Sequence, residues 1–193
     1  MTKNYFEVIR AGINTTFQDK GRSNLYHIGI PFSGAMDNRN YLIANSLVNN
    51  DLNSPVIEFA YQGPLLKYYG ENINFAITGD VFFNLKKDNN VYEGKNNESY
   101  EISNGDEIDI LSTNKSVYGY FAISGGLNLK YQWGSCSTNI RANIGANNGK
   151  KLSNGQKIEI SKISSFKHKK KLNYSNKKIE KIRVIKGTNY DYF

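Results

Sequence analysis

What most limits this fold is a succession of short apolar or alternating runs, none longer than seven residues, separated by turn-forming residues. The runs occupy 5–10, 56–60, 65–69, 73–78, 81–86, 107–111, 117–123, 157–163 and 181–186. Runs of this length suit strands, and they are too short for helices. Between them stand Gly70-Glu71-Asn72, Asp88-Asn89-Asn90 and Asn104-Gly105-Asp106, of which Asn104-Gly105 suits the positive φ angles of a hairpin turn. Asp109 alternates with Ile108 and Ile110, as in a strand with one wet face. One short helix is expected near 37–48, where Met36, Ile43 and Leu47 form an apolar stripe with Leu42 and Ala44 beside them. Met36 and Leu47 then read as core; Ser33 or Asp37 would cap the helix, and Asn49-Asn50 would stop it. Many strands and one helix predict a mainly β protein, a closed or nearly closed β-barrel, with a simple sandwich as the alternative.

The stretch 12–37 breaks the rhythm, packing glycines, acids, an arginine and a proline together. That mixture reads as a set of turns that hold polar groups in place. Asp19 and Arg22 lie three residues apart across one turn. They either lock the loop through a bidentate bond or leave the guanidinium oriented toward an anion. Pro31 fixes the chain direction and Gly34 permits a tight bend. Asp37 either caps the helix or points into a cleft. Asn45 within the helix, and Glu58 between Ile57 and Phe59, break their local patterns. A carboxylate in an apolar strand must face solvent, pair with a cation or titrate abnormally, and Arg22 and Arg39 are the candidate cations.

Charge and composition exclude several functions. The net charge of +8 invites a nucleic-acid partner, but much of the excess lies in 162–186 and no basic recognition motif is present. A single cysteine, Cys136, excludes an intramolecular disulfide and reads as a small packing residue. With two histidines, of which His168 sits in a lysine run, neither a His/Cys metal site nor a Ser-His-Asp device is expected. No run is apolar enough for a signal peptide or a membrane span, which predicts a cytoplasmic protein without a membrane partner. The loop 145–151 superficially resembles a phosphate loop. Its glycines are one residue too close, however, and Lys151 replaces the required hydroxyl residue.

Residues 164–178 are polar and basic without periodicity, as in a solvated connector. The expected organisation is a barrel domain over 1–163, a basic linker over 164–179, and over 180–193 the first strand of a second half.

Seven segments, GINTTFQDKGR, GIPFSGAMD, ANSLVNN, IEFAYQGPLL, AITG, AISGG and GSCST, occur here in the order in which the carboxyltransferase-domain family carries them. The resemblance covers roughly 8–155. The family includes the C subunit of 5-oxoprolinase, allophanate hydrolase subunit 2 and the Kip A antagonist of a kinase inhibitor, and similar stretches occur in urea carboxylases. The resemblance implies a cyclophilin-like β-barrel and a part in ATP-dependent opening of 5-oxoproline to glutamate. ATP with Mg²⁺ would be shared among subunits. The implied partners are an allophanate hydrolase subunit 1-type protein, like the B subunit of 5-oxoprolinase, and a lactam-utilisation protein. Binding to a partner without catalysis, as an antagonist of a kinase inhibitor, is the second implied role. Carboxyl transfer from biotin is the third, although no biotin-carrying lysine motif occurs here.

Asp19, Arg22 and Asp37 are the catalytic candidates. Ser33, Asn45, Glu58, Arg141 and Lys150 are candidates for binding substrate or nucleotide. The sequence departs from the family pattern at Cys136, where an Arg is usual, and at Asn139, where a Tyr is common. It departs again at Lys150 and Gln156. The last segment, IRVIKGTNYDYF, resembles the opening of the family's second half, so a split gene or a truncated frame is expected, and a separate chain supplying the rest is preferred.

Overall fold

The computed structural model describes residues 4–174, 180, 181, 183–188 and 190. In chain order the elements are β1 (Tyr5–Arg10), β2 (Thr16–Gln18), α1 (Asn38–Leu47), β3 (Val56–Ala60), β4 (Leu65–Tyr69) and β5 (Ile73–Thr78). They continue with β6 (Val81–Lys87), β7 (Asn90–Glu93), β8 (Ser99–Ile102), β9 (Glu107–Thr113), β10 (Tyr118–Ile123) and β11 (Lys157–Glu159). The protein is mainly β with one α-helix among the described residues, as its sequence predicts.

Among the described residues two antiparallel sheets carry the fold. One has six strands in the order β11-β1-β4-β9-β6-β7, the other five in the order β2-β3-β10-β5-β8. Among the described residues no strand of one sheet pairs with a strand of the other, so hydrogen bonding does not close the expected barrel. The core lies between the sheets, where Phe121 meets Phe6 edge-on at 5.5 Å and Phe75 at 5.6 Å. Helix α1 packs on the outer face of the five-stranded sheet, joining Tyr41, Ala44, Leu47 and Val48 to Val56, Ala76, Tyr120 and Ala122. Strands β3 and β5 are therefore buried on both faces along their whole length. That is why their sequences are mainly apolar on both faces, with Glu58, Asn74 and Thr78 as buried polar exceptions, whereas the burial of β4, with one wetter face, alternates.

Several expectations need correction. The stretch 12–37 is not all turns, for Thr16–Gln18 forms β2, and β7 and β8 were also not expected. These strands are only three or four residues long and are rich in polar residues, so no apolar run marks them. Asn104-Gly105 does not make a hairpin. It turns the chain from β8 in one sheet to β9 in the other, and of the two residues only Gly105 has positive φ, at 90°. The two-residue hairpin is instead Asp88-Asn89 between β6 and β7, with φ of 48° and 64°. Met36 is 67% exposed and is not core, because α1 begins beyond it.

The side chains of the basic run face solvent largely as expected, but its backbone is tied down along the edge of β8. The Ser99 amide donates to Lys170 O at 2.8 Å, and the Leu172 amide to Asn97 O at 2.9 Å. Glu98 receives Lys169 at 2.5 Å and Lys171 at 3.2 Å. The strap covers an otherwise open sheet edge. Residues 175–179 of the expected linker, and 182, 189 and 191–193 of the expected final strand, lie outside the described residues. The described residues of 181–186 form no strand, and Val184 and Ile185 are exposed.

Candidate functional site

Asp19 follows directly on β2 and is 3% exposed. Its Oδ1 accepts from Ser135 Oγ at 2.6 Å and from the Gly21 amide at 2.8 Å, and its Oδ2 accepts from the Cys136 amide at 2.8 Å. Gln18 grips the same GSCST segment: its Nε2 donates to Thr138 O at 3.0 Å and its Oε1 accepts from Ser137 Oγ. Arg22, 2% exposed, donates from Nη2 to Ser137 O at 2.6 Å and from Nε to Gln132 O at 3.3 Å. The direct bidentate bond between Asp19 and Arg22 does not form. Each instead fastens the 132–137 loop, and the buried Nη1 of Arg22 has no hydrogen-bond partner. Burial lowers the Arg22 pKa from its ordinary value, and the nearby Asp19 carboxylate opposes the shift.

The GIPFSGAMD segment docks on this knot. The Gly34 amide donates to Ser137 Oγ at 2.7 Å, the Ala35 amide to Asp19 O at 3.0 Å, and the Arg22 amide to Phe32 O at 2.8 Å. Ser33 sits at φ 58°, and its Oγ accepts from Asn139 Nδ2 at 3.3 Å. Asp37 caps α1, accepting from the Asn40 amide at 3.1 Å and from Asn40 Nδ2 at 2.6 Å. Glu58 is buried and faces neither solvent nor a cation. Its Oε2 accepts from the Met36 amide at 2.7 Å and from Tyr120 Oη at 2.9 Å, so neither Arg22 nor Arg39 is needed. Burial pushes its pKa up, against the lowering effect of those two donors.

Asp19, Arg22, Ser33, Asp37 and Glu58 thus belong to one connected network. Asn45 does not join it. It is fully buried in α1, where Nδ2 donates to Ser54 O at 2.9 Å and Oδ1 accepts from Asn50 Nδ2 at 3.2 Å. Arg141 and Lys150 are exposed on nearby loops. The glycines of the 145–150 loop are filled from within: a Cβ on Gly145 would lie 2.0 Å from Ser137 O, and one on Gly149 2.2 Å from the Asn143 carbonyl carbon. They serve close packing and leave no phosphate cradle there. Cys136 is fully buried, and burial raises its thiol pKa, which fits packing and not nucleophilic attack. Among the described residues no group of three or more His, Cys, Asp or Glu is arranged to hold a metal ion.

The sequence reading did not single out Gln18, Gln132, Ser135, Ser137 or Tyr120. Ser135 and Asp19 are 116 positions apart, and no local pattern marks such a pairing. The available signal was the clustering of small hydroxyl residues in GSCST after a glycine turn. Beside the network, between α1 and the 20–35 loops, lies a cleft of about 640 Å³ lined by Lys20, Ser23, Phe32, Tyr41, Leu42 and Asn53, among others.

Comparison with known proteins places these features in context. The family model described as "Carboxyltransferase domain, subdomain A and B" matches residues 28–193. The chain is 32% identical to the 5-oxoprolinase C subunit of Escherichia coli over 191 residues, which is 97% of this chain but 59% of that relative. It is 34% identical to urea amidolyase of Lachancea kluyveri over 151 residues, or 78% of this chain and 8% of the relative. Among solved structures, the urea carboxylase of Kluyveromyces lactis superposes with a TM-score of 0.78 at 31% identity, covering 84% of this chain and 14% of that one.

Proposed function

The chain belongs to the carboxyltransferase-domain family, and on that premise we propose that it is one component of an ATP-dependent hydrolase complex that opens 5-oxoproline to glutamate. One observation carries this reading: the relative matched over 97% of the chain is the C subunit of a 5-oxoprolinase. The chain spans 59% of that relative, so the relative's whole activity is part of the proposal. An allophanate hydrolase subunit 1-type protein is the expected partner, with a lactam-utilisation protein.

In such a complex Asp19 and Gln18 hold the 134–138 loop rigid. Arg22 brings a desolvated guanidinium that ties Ser137 O and Gln132 O to the same loop and keeps its Nη1 buried without a partner. Glu58 and Tyr120 fix Met36 and Asp37 at the start of α1. ATP and Mg²⁺ would supply activation of the ring amide and neutralise phosphoryl charge. The 145–150 loop offers them no cradle, so their binding is assigned to the assembled complex.

The test is co-purification with the subunit 1-type partner, followed by an assay of glutamate release from 5-oxoproline. ATP-dependent release that Arg22→Ala abolishes and Arg22→Lys only partly restores is expected. Absence of release from the assembled complex, or full turnover by Arg22→Ala, would overturn the reading. The likeness to urea amidolyase favours a second reading, in which the chain is a component of biotin-dependent carboxyl transfer. Biotin would then ride on another chain, and activity would require a biotinylated carrier.

A further inference from the structure

We infer that the loop face around Trp133 docks a partner protein whose matching surface is acidic around an apolar pocket. The inference rests on the reading of the chain as one component of a complex, and it says where a partner meets the chain and with what chemistry.

Gln132 and Ser135 close a two-residue turn: the Gln132 amide donates to Ser135 O at 2.8 Å and the Ser135 amide to Gln132 O at 3.3 Å. The central residues are Trp133 and Gly134, at φ of 52° and 77°. Positive φ at both positions suits Asn-Gly, and a bulky side chain there is strained. Burial offsets little of that strain, because Trp133, the only tryptophan of the chain, is 51% exposed. The base of the turn is fixed. Gln132 O accepts from Arg22 Nε at 3.3 Å, Gln132 Oε1 accepts from the Gly145 amide at 2.9 Å, and Ser135 Oγ donates to the buried Asp19. A large ring is thus held toward solvent on a rigid mount at a cost in backbone strain, as a binding anchor would be.

The adjoining loops extend the surface. Arg22 ties the 20–36 loop to the turn, and Asn139 Nδ2 donates to Ser33 Oγ at 3.3 Å. On these loops Tyr26, Ile28, Met36, Tyr131 and Ile140 are exposed. Charge is one-sided there. Residues 20–36 and 127–156 include Lys20, Arg22, Lys130, Arg141, Lys150 and Lys151 but no Asp or Glu, and of these cations only Arg22 is buried. Burial, and after it Cys136, Asp19 and Asp51, raise the Tyr131 pKa; of the two acids only Asp51 is exposed, and it marks the border of the face. Aromatic and Met side chains suit the centre of a protein interface, and cations around them call for carboxylates opposite. Ile28, Met36 and Ile140 offer no ring on which a base could stack, so a single-stranded nucleic acid fits less well.

Labelling the full chain with 5-fluorotryptophan places one fluorine probe, at Trp133, for titration with the purified, unlabelled subunit 1-type partner. A saturable shift of that resonance is expected, with affinity that falls as salt rises. Trp133→Asn should weaken binding about thirtyfold by calorimetry, while its melting temperature holds or rises, because Asn tolerates positive φ. Lys130→Gln combined with Arg141→Gln should slow association several-fold and flatten the salt dependence. No shift, unchanged affinity in Trp133→Asn, or a lower melting temperature for that variant would overturn the assignment. So would self-association through Trp133, or tighter binding of a labelled oligothymidylate than of the partner. Assembly and turnover undiminished in Trp133→Asn would defeat the docking surface and leave the 5-oxoprolinase reading standing. Assembly that depends on Trp133, without glutamate release, would do the reverse.

Discussion

Glu58 and Tyr120 stand opposite each other in the register of β3 and β10, and the Tyr120 hydroxyl donates to Glu58 Oε2 at 2.9 Å while accepting from the Asp37 amide at 2.6 Å. Two buried side chains on the sheet thus set where the loop before α1 ends. Burial holds the Glu58 carboxyl above its ordinary pKa, with the Met36 amide and Tyr120 opposing. A carboxyl so raised binds its proton more tightly folded than unfolded. Its contribution to stability is complete below the ordinary carboxylate range and is lost as pH rises through the raised value. Glu58→Gln should flatten that decline in urea denaturation across acidic and neutral pH. Superimposable profiles for the two proteins would refute this. Glu58→Ala, which strands two donors, should cost about 2 kcal/mol.

Asp37 caps α1 through the Asn40 amide, so Asp37→Ala should cost about 1 kcal/mol and Asp37→Ser should recover most of it. Chemical denaturation measures both. Activity in the reconstituted complex then separates capping from chemistry. If Asp37→Ser restores stability but not turnover, the carboxylate acts beyond the cap.

Gly145 and Gly155 make a matched pair, with φ of 97° and 77°, but only at Gly145 is the space for a Cβ already filled, by Ser137 O at 2.0 Å. Gly155→Ala should cost about 1 kcal/mol for its left-handed backbone. Gly145→Ala should cost clearly more, at least about 2 kcal/mol, and should disturb the Arg22–Ser137 contact. Equal thermal stability of the two variants would contradict this packing role.

Glu98 joins the basic strap to β8, and the Lys169 hydrogen bond, followed by Lys171, depresses its pKa against the effect of burial. Its contribution is present above the ordinary carboxylate value and is lost as pH falls through the lowered one. Glu98→Gln should speed hydrogen exchange at the Leu172 and Ser99 amides several-fold at neutral pH, with little change in the sheet core. Unchanged exchange at both amides would show that the backbone bonds alone hold the strap.

Most of the central strands were legible because Val56–Ala60 and Ile73–Thr78 are mainly apolar, interrupted only by Glu58, Asn74 and Thr78, and short apolar runs of that kind are buried strands. The helix was legible from its stripe and its cap. Thr16–Gln18, Asn90–Glu93 and Ser99–Ile102 were not, since short edge strands draw their stability from neighbours and not from their own composition. The segments that meet around Asp19 were visible as unusual sequence. That Asp19 and Arg22 each grip the 132–137 loop, and do not grip one another, was not visible.

Residue order alone therefore determined the mainly β class, the site of α1 and the segments that carry the family pattern, because periodicity and turn chemistry act over a few positions. Tertiary structure decided which sheet each strand joins, why Glu58 can be buried without a cation, and where the backbone of the basic strap docks. It also decided which polar groups, such as Arg22 Nη1 and Tyr41 Oη, remain without partners. Each of these depends on contacts between residues far apart in the chain, and satisfaction of a buried polar group is a property of its whole surroundings.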